Sequence, residues 1–291
     1  MIETRRFGID ARTWRRLGWF AVLVPIGVLN AFLVGQAISW IVNQPSAPDW
    51  IVLQEAARRL LHGENLYAWN SWYHFRWSPL VADAFVLLAP LGLAVWRVGQ
   101  AFVVLTLPDR RLALLALISW PFWFDLETGN TLVFTFVLAV WALRGSRVAA
   151  LGYLGLLLLI PRPLAMPVAI WLLWKRPNLR LPFVLLCLAT MLGTIASGAA
   201  GPWIGALVRA QGDIGNSLNF GPSALIGPLW VPIGLTLAAI LLAMGRLGWA
   251  SLAATPYVLP YYLIFCLLEL VPVSDSSSKT RSTNRVASSM E

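Results

Sequence analysis

The sequence predicts an all-α, polytopic integral membrane protein of about 8–10 transmembrane helices, several of them short or broken, with one amphipathic helix lying beside the membrane. Three observations predict it. Hydrophobic residues make up 58% of the 291 and charged residues only 12%, about half the charged share of a soluble domain. The apolar residues are gathered into long runs separated by short polar turns. The 22 Lys and Arg outnumber the 13 Asp and Glu, for a net charge of +9, yet they are scattered between the apolar runs. A basic stripe that would track nucleic acid is missing, so the basic balance points to membrane lipids as partners.

Taken in order, residues 1–17 form a basic cytoplasmic N-terminus, and the run 18–42 lacks a small-residue cleavage signature, so it reads as an uncleaved first span. Residues 43–76 form a first outer loop. The runs 77–96, 112–124, 129–143, 147–160, 164–174, 180–200, 224–244 and 249–271 follow as further spans, which makes 18–271 one transmembrane domain. The four runs between 112 and 174 are too short to cross ~30 Å at ~1.5 Å per residue. Such segments must be sheltered by protein or line a cavity, and they often surround a site. Residues 97–111 leave room for an extra short span. The tail 272–291 has no hydrophobic face and reads as disordered. Cys187 and Cys266 both lie in apolar runs and suggest neither a disulfide framework nor a metal site.

Orientation follows from the Lys and Arg on alternate sides. One side collects Arg5, Arg6, Arg12, Arg15, Arg16, Arg97, Arg110, Arg111, Arg144, Arg147, Lys175, Arg176, Arg180 and Arg246, and the other Arg58, Arg59, Arg76, Arg162 and Arg209. The excess puts the N-terminus in the cytoplasm of a multi-pass plasma-membrane protein. The loop 43–76, the turn 127–130, Arg162 and the loop 201–223 then share the outer, periplasmic face.

That face holds the polar groups able to carry chemistry. Pro48 and Asp49 precede Leu53, Ala56, Ala57, Leu60 and Leu61 on one helical face and Gln54, Glu55, Arg58, Arg59 and His62 on the other, a pattern ended by Gly63. The apolar stripe is expected to lie in the membrane interface. Asp49 has two readings, a cap on the helix N-terminus or a catalytic carboxylate. The segment "YAWNSWYHFRWSPL" offers Tyr67, Trp69, Trp72, His74, Arg76 and Trp77, either as an aromatic belt or as a sugar-stacking or phosphate-facing wall with His74 and Arg76 as hydrogen-bond donors. "FDLETGNTL" places Asp125 and Glu127 in a turn, as a solvated loop or a weak two-carboxylate metal signal, with Asn130 as a polar hook. In "LIPRPLAMP", Arg162 sits between prolines that break the helix ladder and present its guanidinium for phosphate or for snorkelling. The loop holding Asp213, Asn216, Ser217 and Asn219 reads as a flexible lid, and Asp83 and Glu269 fall inside spans, where they should face a cavity or a partner. No metal site and no cofactor is expected, since two histidines cannot build a His-rich site.

In the order "PDW...EAARRLLHGENLYAW", "FRWSPLVADAFVLLAPLGLAVWRVGQ", "ETGNTLVFTFVLAVWALRGSRVAALGYLGLLLLIPRPLAMP" and "IGNSLNFG", residues 18 to about 225 resemble the polyprenyl-phosphate-dependent membrane glycosyltransferases of the GT-C superfamily, most closely glycosyltransferase family 87, or DUF2029. Where that family has Gly-Gln-x-Asn, this chain has Gly129-Asn130-Thr131-Leu132. Its Lys-Pro is Arg162-Pro163 here, which keeps the charge, and its Tyr-x-Pro is Trp77-Ser78-Pro79.

The resemblance implies a GT-C-like fold and an inverting transfer of a mannose-like or arabinose-like sugar from a polyprenyl-phosphate donor to a lipid or glycan hydroxyl on the outer face. Asp49 would be the general base, and Arg162 with His74 and Arg76 would hold the donor phosphate. Tyr67, Glu127, Asn130, Asn216 and Ser217 would line the substrate cavity. Two alternatives stand beside it. One is a lipid-linked-sugar flippase or small-molecule transporter, which broken helices and buried charges also suit. The other is a non-catalytic relative, suggested by the short C-terminus.

Overall fold

The structure, a computed structural model, describes residues 11–44, 46–68, 73–209 and 218–272, with side chains omitted for 11–18. Residues 1–10 of the basic N-terminus and 273–291 of the polar tail lie outside it. All regular structure among the described residues is helical. Four stretches are long and apolar enough to cross a membrane: Trp19–Leu61, Pro79–Leu105, Pro177–Ala196 and Ser223–Ala243. These are the features of a helical membrane protein.

The membrane-compatible part of the first stretch is α1 (Ala11–Asn43), whose 33 residues extend ~50 Å. Its large apolar side chains, from Trp19 to Val42, mostly face outward. After it comes the amphipathic helix α2 (Pro48–Leu61), which buries Trp50, Leu53, Ala56 and Ala57. That stripe does not lie in the membrane interface as expected. It packs on α3 (Pro79–Leu88), with the Trp50 ring meeting Phe85 edge-on at 5.6 Å, so the apolar partner is protein instead of lipid.

The expected span 77–96 is divided. α3 ends in a 3-10 turn, Ala89–Leu91, containing Pro90, and Gly92 follows at φ 78. α4 (Gly92–Leu105) then takes up most of the undecided region 97–111. Arg97 donates to Leu126 O at 2.9 Å and Glu127 O at 3.3 Å, so it belongs with the 127–130 turn and not with the opposite end where charge counting put it.

The expected span 112–124 is two short helices, α5 (Arg110–Ile118) and α6 (Trp120–Thr128), broken at Ser119 ahead of Pro121. A break exposes backbone groups that lipid cannot satisfy. Asn30, from the lipid-facing α1, repairs it: its amide donates to Ile118 O at 2.9 Å and accepts from Trp120 N–H at 2.8 Å.

α7 (Leu132–Leu143), α8 (Arg147–Leu159) and α9 (Met166–Lys175) have 12, 13 and 10 residues, only ~15–20 Å each. As the sequence implies, they are sheltered. α7 is buried almost all round, through Leu132, Val133, Phe136, Val137, Val140 and Leu143. α7 and α8 form a hairpin turning at Gly145, and Arg176 donates to Leu143 O at 3.4 Å, drawing the end of α9 to that turn. Asn130 and Arg162 therefore sit at one end of the bundle, the site end, and Gly145 at the other, the far end.

α10 (Arg180–Ala196) runs back along α8. The first part of the expected outer loop 201–223 is instead a helix, α11 (Ala200–Arg209), pinned where Trp203 Nε1–H donates to Arg76 O at 3.1 Å. Residues 210–217, with Asp213, Asn216 and Ser217, lie outside the described residues. α12 (Ser223–Ile226) and α13 (Trp230–Ala243) return toward the far end.

The last expected span, 249–271, is not one helix. α14 (Leu247–Ala253) stops within seven residues, and Pro260–Leu270 continues as a 3-10 helix. Glu269 Oε1 accepts from Gly248 N–H at 2.8 Å and Trp249 N–H at 3.2 Å, so the chain folds back on itself. Glu269 faces a partner as expected, Arg246 at 3.4 Å, and also satisfies the free start of α14. The two limbs pack without room for a side chain: a Cβ on Gly248 would stand 2.4 Å from Phe265 O. The 3-10 geometry stretches eleven residues to ~22 Å instead of the ~16 Å of an α-helix, enough to return from the site end. Asp83, also expected to face a cavity or partner, is exposed.

Candidate functional site

The tip of that hairpin, the start of α2, the 129–131 turn and the Pro161–Pro163 break meet around a cavity of about 200 Å³. Asp49, His74, Arg76, Asn130 and Arg162 line it together with Tyr257, Tyr261 and Tyr262.

Asp49 reaches it because α2 starts one residue earlier, at Pro48. Proline fits the first helical position, having no N–H to satisfy and a helical φ. The capping role expected of Asp49 is therefore not what it does: Ala47 occupies the cap position and no side chain caps the helix. The carboxylate turns into the cavity and accepts from Asn130 Nδ2–H at 2.5 Å.

Asn130 is presented by the residue before it. Gly129 ends α6 in the left-handed region, φ 68, ψ 29, where a side chain is strained. A Cβ there would also lie 2.8 Å from Trp50 Cβ and 3.1 Å from Ala47 Cβ. The missing side chain lets the start of α2 close onto the turn, and that approach brings Asp49 to Asn130.

Arg162 stands extended between its prolines, φ −122, ψ 122, and is only 8% exposed. Its Nη2 donates to Asn130 Oδ1 at 2.6 Å and to Thr131 Oγ1 at 3.0 Å, while among the described residues Nη1 has no hydrogen-bond partner. The Asn130 amide thus stands between carboxylate and guanidinium, holding one with each end. Burial pushes the Asp49 carboxyl above the ordinary range, opposed by the Asn130 bond, the charge of Arg162, Thr128 and the charge of Arg76.

A second layer holds the turn. Gln100 Nε2–H donates to Asn130 O at 2.7 Å and to Asp125 Oδ2 at 3.0 Å, and Asp125 Oδ2 accepts from Val133 N–H at 3.2 Å in the first turn of α7. Asp125 lies in α6 and is 1% exposed, which overturns the expected solvated turn. Glu127, two residues on in the same helix, points elsewhere and does not line the cavity, so the Asp-x-Glu pair does not converge on a metal. Among the described residues no three His, Cys, Asp or Glu side chains gather as metal ligands.

The other expected residues divide. His74 and Arg76 line the cavity with Phe75 and Trp77, as a wall. Tyr67 is buried behind it, its hydroxyl donating to Trp77 O at 2.9 Å, and supports the wall without lining it. Asn216, Ser217, Trp69 and Trp72 lie outside the described residues. Sequence reasoning missed Gln100, Thr131 and the three tyrosines. Gln100 had a signal, as an amide inside an otherwise apolar run. The tyrosines had a fainter one, since "TPYVLPYY" sets proline and aromatic residues together where a span was expected to continue.

The arrangement supplies a half-buried proton acceptor and a buried guanidinium with an unused donor, beside an imidazole and a second guanidinium. A volume below the ~300–1,000 Å³ of drug-sized sites suits a compact polar group, not a whole large ligand. No family model, curated protein or solved structure matches the chain.

Proposed function

We propose that this protein is a membrane glycosyltransferase that moves a mannose-like or arabinose-like sugar from a polyprenyl-phosphate donor to a lipid or glycan hydroxyl, with inversion at the anomeric carbon. The observation that carries the reading is one cavity shared by Asp49, Arg162, His74 and Arg76, in which a single amide, Asn130, stands between the Asp49 carboxylate and the Arg162 guanidinium. A proton acceptor on one side and phosphate-binding cations on the other are what such a displacement requires.

In the reaction the acceptor hydroxyl oxygen attacks the anomeric carbon while the bond from that carbon to the phosphate oxygen breaks. The electron pair leaves on the phosphate and the hydroxyl proton passes to Asp49. Raising the carboxyl by burial makes it a better base than an exposed aspartate. Arg162 is bidentate in capacity, with Nη1 unused, and receives the developing phosphate charge. Asn130, bonded to both, keeps them apart before substrate arrives.

We place the cavity on the outer face of the plasma membrane, with the N-terminus in the cytoplasm. Moving Arg97 to the other set changes the sequence count to thirteen basic residues against six, so the charge asymmetry still favours a cytoplasmic N-terminus.

The test supplies purified protein with polyprenyl-phosphomannose or polyprenyl-phosphoarabinose and candidate lipid acceptors. The wild type should transfer, and Asp49→Asn should lose on the order of 10²–10⁴-fold in turnover. Undiminished transfer by Asp49→Asn would remove the general-base role. No transfer from either donor, with the protein folded, would favour transport or a non-catalytic role.

A further inference from the structure

A second concavity, of about 260 Å³, opens at the far end, away from the candidate site. Its lining runs from Gly145 and Arg147 on one side to Lys175, Arg176, Pro177, Asn178 and Leu179 on the other, with three cationic side chains and no carboxylate. The nearby acid Asp109 is already engaged, 3.6 Å from Arg144 and capping α5 through Arg111 N–H.

Local structure brings these cations together for reasons unrelated to one another. Arg147 opens α8, with Ser146 as its cap. Lys175 closes α9, and Arg176 is drawn against the end of α7 at Leu143 O. The chain then turns at once through Pro177–Leu179 into α10. Two helices, α8 and α10, therefore begin beside this concavity; some of their first N–H groups are already taken, Ala149 N–H by Ser146 Oγ and Arg180 N–H by Pro177 O, but the two helix dipoles still add partial positive charge there. Side chains and backbone present the same sign to one small space, which favours an anion with several acceptor oxygens.

The surroundings indicate what carries that anion. Val148, Trp174 and Leu181, each next to a concavity residue or one helical step beyond it, are 83%, 57% and 69% exposed. Apolar side chains this open border the cationic group, as lipid chains would border a headgroup. Basic pockets between transmembrane helices are suited to anionic headgroups.

We infer that the concavity bounded by Arg147, Lys175 and Arg176 binds the phosphodiester headgroup of an anionic phospholipid, whose chains lie along Trp174 and Leu181. The site does not depend on the proposed transferase activity, and its test needs none.

The full chain is reconstituted in nanodiscs of phosphatidylcholine with a minor fraction of phosphatidylglycerol. Retention of phosphatidylglycerol through delipidation is read by mass spectrometry of the released protein. Arg147→Gln with Lys175→Gln should weaken retention about 25-fold, since each basic residue near an anionic headgroup contributes about a fivefold factor. Arg110→Gln with Arg111→Gln removes the same charge from exposed positions at the same end and should leave retention near wild type. Equal loss in both double variants would overturn the proposal in favour of diffuse charge attraction, and unchanged retention in both would overturn it outright. Inorganic phosphate is the third arm: if millimolar phosphate displaces phosphatidylglycerol completely, the site is for free phosphate and the lipid assignment falls. A thermal melt of each variant in phosphatidylcholine alone separates lost binding from lost folding.

Discussion

Two clusters of carboxylate and guanidinium stand within a few residues of each other on α2, and they are built in opposite ways. On its exposed face Arg58 pairs with Glu55 at 2.8 Å and with Glu64 at 2.6 Å, using Nε, Nη1 and Nη2 together, while Arg59 meets Glu55 at 2.8 Å and lies 4.0 Å over the Tyr73 ring. At the start of the same helix the half-buried Asp49 and the buried Arg162 do not pair. They share Asn130, leaving Arg162 Nη1 without a partner among the described residues and Asp125 Oδ1 likewise. A cluster that satisfies itself needs no ligand, and its exposed Arg58–Glu64 pair contributes little to stability. A buried cluster that stops one hydrogen bond short carries an uncompensated cost. Such incompleteness is a mark of a site waiting for a polar ligand.

The comparison breaks most severely at Arg162. Arg162→Leu removes the only guanidinium that reaches Asn130 and Thr131 among the described residues, and leaves the half-buried Asp49 without the arginine that most offsets its charge. The expected loss is about 3–5 kcal/mol, as for breaking a buried ionic network, read by reversible unfolding in mild detergent. A loss under about 1 kcal/mol would show that the cluster is no more coupled than the exposed one.

Gly129→Ala tests whether the close approach of α2 makes the site. A left-handed backbone for alanine costs about 1–2 kcal/mol, and the new Cβ, 2.8 Å from Trp50 Cβ, adds an overpacking cost of about 1–3 kcal/mol. The same variant should weaken the Asp49–Asn130 contact and lower turnover in the proposed transfer reaction more than Gly63→Ala. Gly63 also has positive φ, 64, but open space around it, so that control carries the backbone strain alone.

The smallest effect, and the sharpest contrast, is in pH. Hydrogen bonding to Arg58 holds the Glu55 carboxyl down to about 2, so the stability it contributes is present above the ordinary glutamate value and fades as pH falls toward 2. Asp49 has the opposite sign: burial raises it, so its contribution is complete below the ordinary aspartate value and is lost as pH rises through the raised one. In paired pH melts, Arg58→Gln should approach wild type as the pH falls toward 2. Asp49→Asn should gain on wild type as the pH rises. Curves that move the same way would mean the two clusters are not electrically distinct.

Much of the site was legible, and the reason differs by residue. Asp49, Arg162, His74 and Arg76 are charged or ionisable side chains in an apolar chain, where each costs enough to require a reason, and all four line the cavity. Glu127 met the same criterion and faces away, because residues two apart on a helix point in different directions and only Asp125 turns inward. Asp49 looked equally like a cap, since the sequence does not say whether Pro48 stands before the helix or begins it. The tyrosines of the hairpin were hidden by composition, because 249–271 is as apolar as a span and hydropathy cannot distinguish one crossing from an entry and a return.

Composition and run length by themselves determined that the chain is helical and membrane-compatible, that the middle helices are too short to face lipid alone, and which ionisable residues are expensive to bury. These are one-dimensional properties, set by how many apolar residues stand in a row and where the charges interrupt them. Only the tertiary structure decided that α2 packs on protein instead of lipid, that Asn30 repairs a break in a neighbouring helix, that the C-terminal segment turns back, and that Asn130 holds Asp49 and Arg162 apart. Each depends on contacts between residues as many as 90 positions apart. Which pairs meet is settled by how the broken helices satisfy their backbone groups where water is absent, and no local pattern records that choice.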